Sequence, residues 1–220
     1  MSIKAVIFDL DGTLLDTIAD IANSMNEALL QLGLKSFTVE DYKIFVGRGV
    51  DNLVTSVLEE QSADKSLFSS VKHLYLANYL VKQNELTKPY SGIVTLLEVL
   101  KERKILVSVL SNKPDPDTKS VIQYYFGDYP FFEVMGKREG YEVKPHPASV
   151  NEIIRASGFL HSEILYVGDT RTDMETAVNA HLIPVGVLWG FRKKDELLQS
   201  GAEYIISHPS ELIDIIEKRE

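Results

Sequence analysis

The chain has 220 residues, a formal net charge of −9, 45% hydrophobic and 25% charged residues, and no cysteine. Its length and balance suit one large globular domain, or a domain with a sizeable insertion. The acidic surplus argues against a nucleic-acid backbone as partner, and the lack of cysteine excludes disulfides, thiolate catalysis, iron–sulfur clusters and cysteine-ligated zinc.

Residues 5–8, Ala-Val-Ile-Phe, form a short apolar run that predicts a buried strand. It stops at Asp9, and Leu10, Asp11, Gly12 and Thr13 follow. Ligands of open α/β sheets bind beyond the carboxyl ends of the strands. Two carboxylates placed there need a cation, a substrate or water, because unpaired buried charge is very costly. After Asp16 the period changes. Ile18, Ile21, Ala22, Met25, Leu29 and Leu32 keep the spacing of an amphipathic helix, and Gly33 is a stop. Thr38-Val39-Glu40-Asp41 is a helix start, Gly47-Arg48-Gly49 a break, and Val50–Glu60 and Ser66–Val81 are two further helices. No strand pattern is evident from about 17 to 83.

Alternation resumes after a turn at Pro89-Tyr90-Ser91-Gly92. Helices are predicted at 93–103, 117–125, from Lys144 to 156, at 174–180, 193–199 and 210–218. Strands are predicted at 105–110, 131–135, 164–167, 183–188 and 204–206. Alternating strands and helices predict an α/β fold, a doubly wound (Rossmann-like) parallel sheet. The expected organisation is a core of residues 1–16 and 85–220, interrupted by an inserted α-helical cap of residues 17–84. The amino terminus runs directly into the first strand, with no signal-peptide pattern and no apolar stretch long enough for a bilayer. The expectation is therefore a cytoplasmic protein with no membrane partner, monomer or homodimer.

The expected strand ends gather Asp9 and Asp11, then Ser111 and Asn112, then Asp169 and Asp173, with Lys144 at a helix start. Carboxylate oxygens without Cys or His favour a hard divalent cation, Mg2+ first. Phosphoryl transfer needs a nucleophile, charge neutralisation and a proton for the leaving group. A carboxylate, a metal, a second carboxylate, a hydroxyl, an amide and an ammonium can supply these.

In these motifs, Asp9-Leu10-Asp11-Gly12-Thr13, Ser111, Lys144-Pro145 and Gly168-Asp169-Thr170-x-x-Asp173, the sequence resembles the haloacid-dehalogenase superfamily in its magnesium-dependent phosphatase branch. The resemblance implies that Asp9 is nucleophile and metal ligand. Asp11 would be the general acid/base, with its backbone carbonyl on the metal, and Asp169 and Asp173 further ligands. Ser111, Asn112 and Lys144 would bind the phosphoryl group, and Thr13 would orient the first loop. It also implies a lid of the first cap type, suited to a small phosphorylated metabolite of phosphoglycolate type, with β-phosphoglucomutase-like and pyrophosphatase chemistry as alternatives. Related phosphoglycolate phosphatases carry a Gly-x-Gly lid loop, so Gly47, Arg48 and Gly49 are candidates for substrate specificity, Arg48 pairing with a carboxylate. Against this stands a plain interhelical turn with a solvated arginine. Asp16 is expected to be a cap or hinge, and the scattered histidines and the aromatics around Trp189 and Tyr124–Phe132 to serve packing or surface roles.

Overall fold

The structure is a computed structural model and describes residues 2–219. Strand β1 (Ala5–Phe8) leads into a tight loop and the two-residue strand β2 (Leu15–Asp16). Four helices follow: α1 (Ile18–Gln31), α2 (Val39–Phe45), α3 (Val50–Glu60) and α4 (Phe68–Lys82). The chain returns through β3 (Lys88–Pro89), α5 (Ile93–Glu102), β4 (Leu106–Pro114), α6 (Asp115–Phe126) and β5 (Glu133–Lys137). It ends with α7 (Ala148–Ser157), β6 (Ile164–Gly168), α8 (Arg171–Asn179), β7 (Ile183–Val187), α9 (Lys194–Gln199), β8 (Tyr204–Ile206) and α10 (Glu211–Glu217).

Six strands form one sheet in the order β5-β4-β1-β6-β7-β8, and every pairing is parallel. The chain builds outward on one side of β1 through β4 and β5, then crosses to the other side. This reversal opens a crevice beyond the carboxyl ends of β1, β4 and β6, where doubly wound sheets bind ligands. Strands β1, β6 and β7 are buried on both faces, as parallel strands under crossover helices must be. Val6 and Phe8 join one cluster with Val107, Val109, Leu165 and Val167, sealed by α5 and α10. Their neighbours Ala5 and Ile7 join the opposite one with Tyr166 and the α7 residues Val150 and Ile153.

The four helices between β2 and β3 have their own cluster, including Ile21, Met25, Leu29, Tyr42, Val54, Val57, Val71 and Tyr75. A capping box opens α2: Thr38 accepts from the Asp41 N–H, and Asp41 accepts from the Thr38 N–H. No helix of the described residues is long and apolar enough to cross a membrane.

Several local expectations need correction. Residues 88–89 are not merely part of a turn approach: Lys88 pairs with Asp16 and Pro89 with Leu15, antiparallel. Asp16 therefore sits in the neck of the helical unit and caps no helix; Thr17 is the N-cap of α1, without a side-chain bond. Strand β4 runs through Ser111, Asn112 and Lys113 to Pro114, beyond the expected end at Leu110, because after a register shift its pairing with β5 resumes at Pro114, opposite Lys137. Helix α7 begins at Ala148, leaving Lys144 in the preceding irregular segment. Of the aromatics near β5, Tyr124 is exposed, while Tyr125, Tyr129 and Phe131 pack on the core.

The neck is fastened by a residue the sequence reading did not single out. Asp20 is buried and accepts from Leu86 N, Thr87 N and Thr87 Oγ1 at 2.7–3.1 Å. Replacing it would strand these donors away from water. Asp20→Ala is expected to cost about 3 kcal/mol and lower Tm by roughly 6–12 °C in a thermal melt.

Candidate active site

The loop after β1 is wound tightly. Gly12 N donates to Leu15 O, and Leu14 N and Leu15 N both donate to Leu10 O. Gly12 has φ +90°, and a Cβ there would lie 2.3 Å from Asp169 Oδ2, so the turn needs glycine for conformation and for space. Thr13 Oγ1 donates to Asp169 Oδ1 at 3.1 Å, and the Trp189 ring N–H donates to Thr13 O at 3.0 Å. Trp189 is thus packed on the core and also steadies the first loop.

Asp9, Asp169 and Asp173 are buried, and one oxygen from each lies within 4.8 Å of the others. Asp173 is in the first turn of α8, not at the end of β6; its Oδ2 accepts from the Thr170 N–H and hydroxyl, closing a capping box. Lys144 reaches into the group. Its Nζ lies 2.7 Å from Asp9 Oδ1, 2.7 Å from Asp173 Oδ1 and 3.1 Å from Leu110 O, which takes up all three N–H bonds. Burial, then Asp173, pushes the Asp9 carboxyl up to about 7 against the pull of Lys144. Burial, then Asp173 and Asp9, holds Asp169 well above the usual carboxylate range. Burial works to lower Lys144, but Asp173 and Asp9 outweigh it and hold the ammonium well above its ordinary value. Fully ionised, the three carboxylates beside one ammonium carry an excess of two negative charges, and every donor is oxygen. That set fits a hard divalent cation, which would sit against Asp9, Asp169 and Asp173.

Asp9, Asp11, Ser111, Asn112 and Lys144 line one cavity of about 50 Å³, together with Gly47 and Gly49 of the helical unit. Its far wall is apolar, with Ile21, Val50, Leu53, Tyr75 and Leu76. Ser111 is buried, its Oγ accepting from the Lys113 N–H at 3.2 Å. Two specificity and binding expectations change here. Arg48 is exposed and outside the cavity lining, because Gly47 (φ +125°) and Gly49 (φ +84°) turn the backbone so that they, not the arginine, face inward. The Asn112 amide does not point at a free phosphoryl pocket: it donates to Lys144 O and Gly47 O and accepts from Lys144 N, at 2.9–3.2 Å. It sets the Lys144 loop and touches the helical unit at Gly47.

Sequence reasoning missed two further features. Lys113 lines the cavity beside Asp11; it was legible only as a cation two residues after Ser111. Residues 189–192 also tie the halves together. Phe191 N donates to Asp169 Oδ2 at 2.8 Å while its ring packs in the helical cluster, and Arg192 donates to Ile44 O and Val46 O at 3.0 and 2.9 Å. Outside the acid group, His161 meets Ala180 O, His208 meets Ser210 Oγ and the His146 ring accepts from Ala148 N.

The sequence model of the haloacid dehalogenase-like hydrolases matches residues 6–187. The chain belongs to this family. Two relatives, both named phosphoglycolate phosphatase, come from Mannheimia succiniciproducens (29% identical; 97% of this chain, 98% of the relative) and Aquifex aeolicus (30% identical; 97% of each). A solved structure from Lactobacillus delbrueckii subsp. bulgaricus, assigned as a phosphoglycolate phosphatase, superposes with a TM-score of 0.93 at 30% identity, covering 98% of this chain and 99% of that one. Family and α/β fold therefore agree with the resemblance drawn from the motifs.

Cation binding requires Asp9 to be ionised, and protons compete for it below about 7. Apparent affinity for Mg2+ or Mn2+ is expected to fall as pH drops from 8 to 6, approaching tenfold per unit for each proton displaced. Titration calorimetry in buffers of different ionisation heat should detect protons released at pH 6 and fewer at pH 8; equal affinity and no proton release would contradict it.

Proposed function

We propose that this chain is an Mg2+-dependent phosphatase of small phosphate monoesters, of phosphoglycolate type, working through an aspartyl-phosphate. The observation that carries the reading is the buried group Asp9, Asp169, Asp173 and Lys144, of which Asp9 and Lys144 line a cavity shared with the helical unit. The names of the full-length relatives support the substrate class. The apolar outer wall of the cavity offers the hydroxyls of a hexose few partners, which supports a short ester over a sugar phosphate.

Mg2+ bound to the three carboxylates would neutralise and orient the phosphoryl oxygens. Asp9, ionised, attacks phosphorus: the Asp9 oxygen–phosphorus bond forms as the ester oxygen–phosphorus bond breaks. Asp11, two residues on and half-buried at the cavity, gives its proton to the departing alkoxide. The same carboxylate then takes a proton from water, which attacks phosphorus and frees Asp9. Lys144 holds Asp9 and Asp173 in place and offsets their charge. Ser111 offers its hydroxyl at the same end of the cavity. The lid excludes bulk water while the acyl phosphate exists.

With Mg2+ present, phosphate release from phosphoglycolate is expected to exceed that from β-glucose 1-phosphate and pyrophosphate, and to stop on chelation. Asp9→Asn should lower kcat by at least about 10³-fold while keeping the circular dichroism spectrum. An Asp9→Asn protein that still turns over would remove the nucleophile from this scheme.

A further inference from the structure

The cavity holds two ammonium groups, and they are not equivalent. Lys144 has given all three N–H bonds to Asp9, Asp173 and Leu110 O. Lys113 has one hydrogen-bond acceptor and one ion-pair partner among the described residues. Its Nζ donates to Tyr79 Oη at 2.8 Å and lies 3.1 Å from Asp11 Oδ1, with the Tyr79 ring centroid 4.5 Å away. An ammonium has three N–H bonds. One is left for a ligand in the cavity that Lys113 lines.

Its position suits a particular ligand. Lys113 follows Ser111 by two residues, in the part of β4 where the register with β5 shifts between Leu110 and Pro114. Lys144 Nζ meets Asp9 and Asp173, whereas Lys113 Nζ meets Asp11 and Tyr79 of the helical unit, so Lys113 stands on the side toward the helices, where the carbon end of a short ester would lie. Lys113 is buried, so an anion meeting it would be shielded from solvent screening. The rest of that wall offers no rival cation: Arg48 is outside the lining, and Asp11 and Asp117 bring negative charge. The apolar residues Ile21, Val50, Leu53 and Leu76 give an anion nothing to bond.

We propose that Lys113 determines specificity: it pairs with a carboxylate carried a short distance from the ester oxygen, and Tyr79 from the lid holds it in position to do so. This rests on the phosphatase reading and adds to it the residue that recognises the acid end of the substrate. It also explains how the site selects a carboxylated ester although the arginine of the lid loop faces away. The competing role for Lys113 is to serve Asp11 as a counter-ion, which would affect every ester alike.

The test is a ratio. kcat/KM is measured for phosphoglycolate and for ethyl phosphate, which has the same carbon count and no carboxylate, in the wild type and in Lys113→Gln, with saturating Mg2+. Effects transmitted through Asp11 act on both esters and cancel in the ratio. The wild type is expected to prefer phosphoglycolate, and Lys113→Gln to reduce that preference about 30-fold or more, chiefly through KM. If Lys113→Gln does not fold, Lys113→Met, which keeps an unbranched stem against Tyr79, takes its place. A wild type that prefers phosphoglycolate, with both esters losing equally in the variant, overturns the role of Lys113 and leaves the phosphatase reading standing. A wild type with no preference overturns the phosphoglycolate-type reading and, with it, this assignment.

Discussion

The arrangement depends on charge that the fold has crowded out of water. Asp9, Asp169 and Asp173 sit within a few ångströms of one another in a buried crevice, and a single ammonium, Lys144, stands among them. Isolated, such a group would be strongly destabilising. The surrounding structure is built to hold it. Thr170, Thr13 and the Phe191 N–H bond the outer carboxylate oxygens, and Asn112 fixes the backbone from which Lys144 reaches in. The doubly wound sheet supplies the meeting place, since β1, β4 and β6 are neighbours and all end at the same crevice.

Fold and site were legible to different depths. The continuous apolar run of β1, the 3.6 spacing of α1 and the strong stop at Gly33 are local signals, and each element forms where its pattern lies. Asp9, Asp11, Ser111, Lys144, Asp169 and Asp173 were expected together because polar groups recur beyond strand ends in the order of the chain; the structure brings Asp9, Asp169, Asp173 and Lys144 into one group and lines one cavity with Asp9, Asp11, Ser111 and Lys144. What failed depended on tertiary partners. Two-residue strands such as Leu15–Asp16 and Lys88–Pro89 are too short to show a period and exist only by pairing with each other. Strand β4 reaches Pro114 because its pairing with β5 resumes there after an irregular stretch.

Side-chain assignments were least legible where one residue type can serve two ends. An asparagine after a serine at a strand end can donate to a ligand or to a loop. Here Lys144 lies 32 positions downstream and claims Asn112 through two backbone bonds, which sequence spacing does not reveal. Arg48 and Lys113 show the same difficulty for cations. A long charged side chain in a turn is free to snorkel outward, and Arg48 does. Lys113 is buried on a strand under the lid, and only the packing of Tyr79 above it shows that it cannot.

Residues 189–192 give the lid a mechanical property that neither half has alone. Within four positions the backbone steadies Thr13 through the Trp189 ring, donates to Asp169 from Phe191, plants the Phe191 ring among the helices and grips two lid carbonyls with Arg192. Gly190 between them has no room for a methyl group, since a Cβ would lie 2.3 Å from Asp169 Cβ and 2.4 Å from Gly12 O. The helices therefore cannot swing away as an independent flap. Any outward travel must either release the Arg192 grip and withdraw the phenyl ring, or tug on the peptide that anchors a carboxylate of the charged nest, so opening the door and loosening the floor are geared to one another.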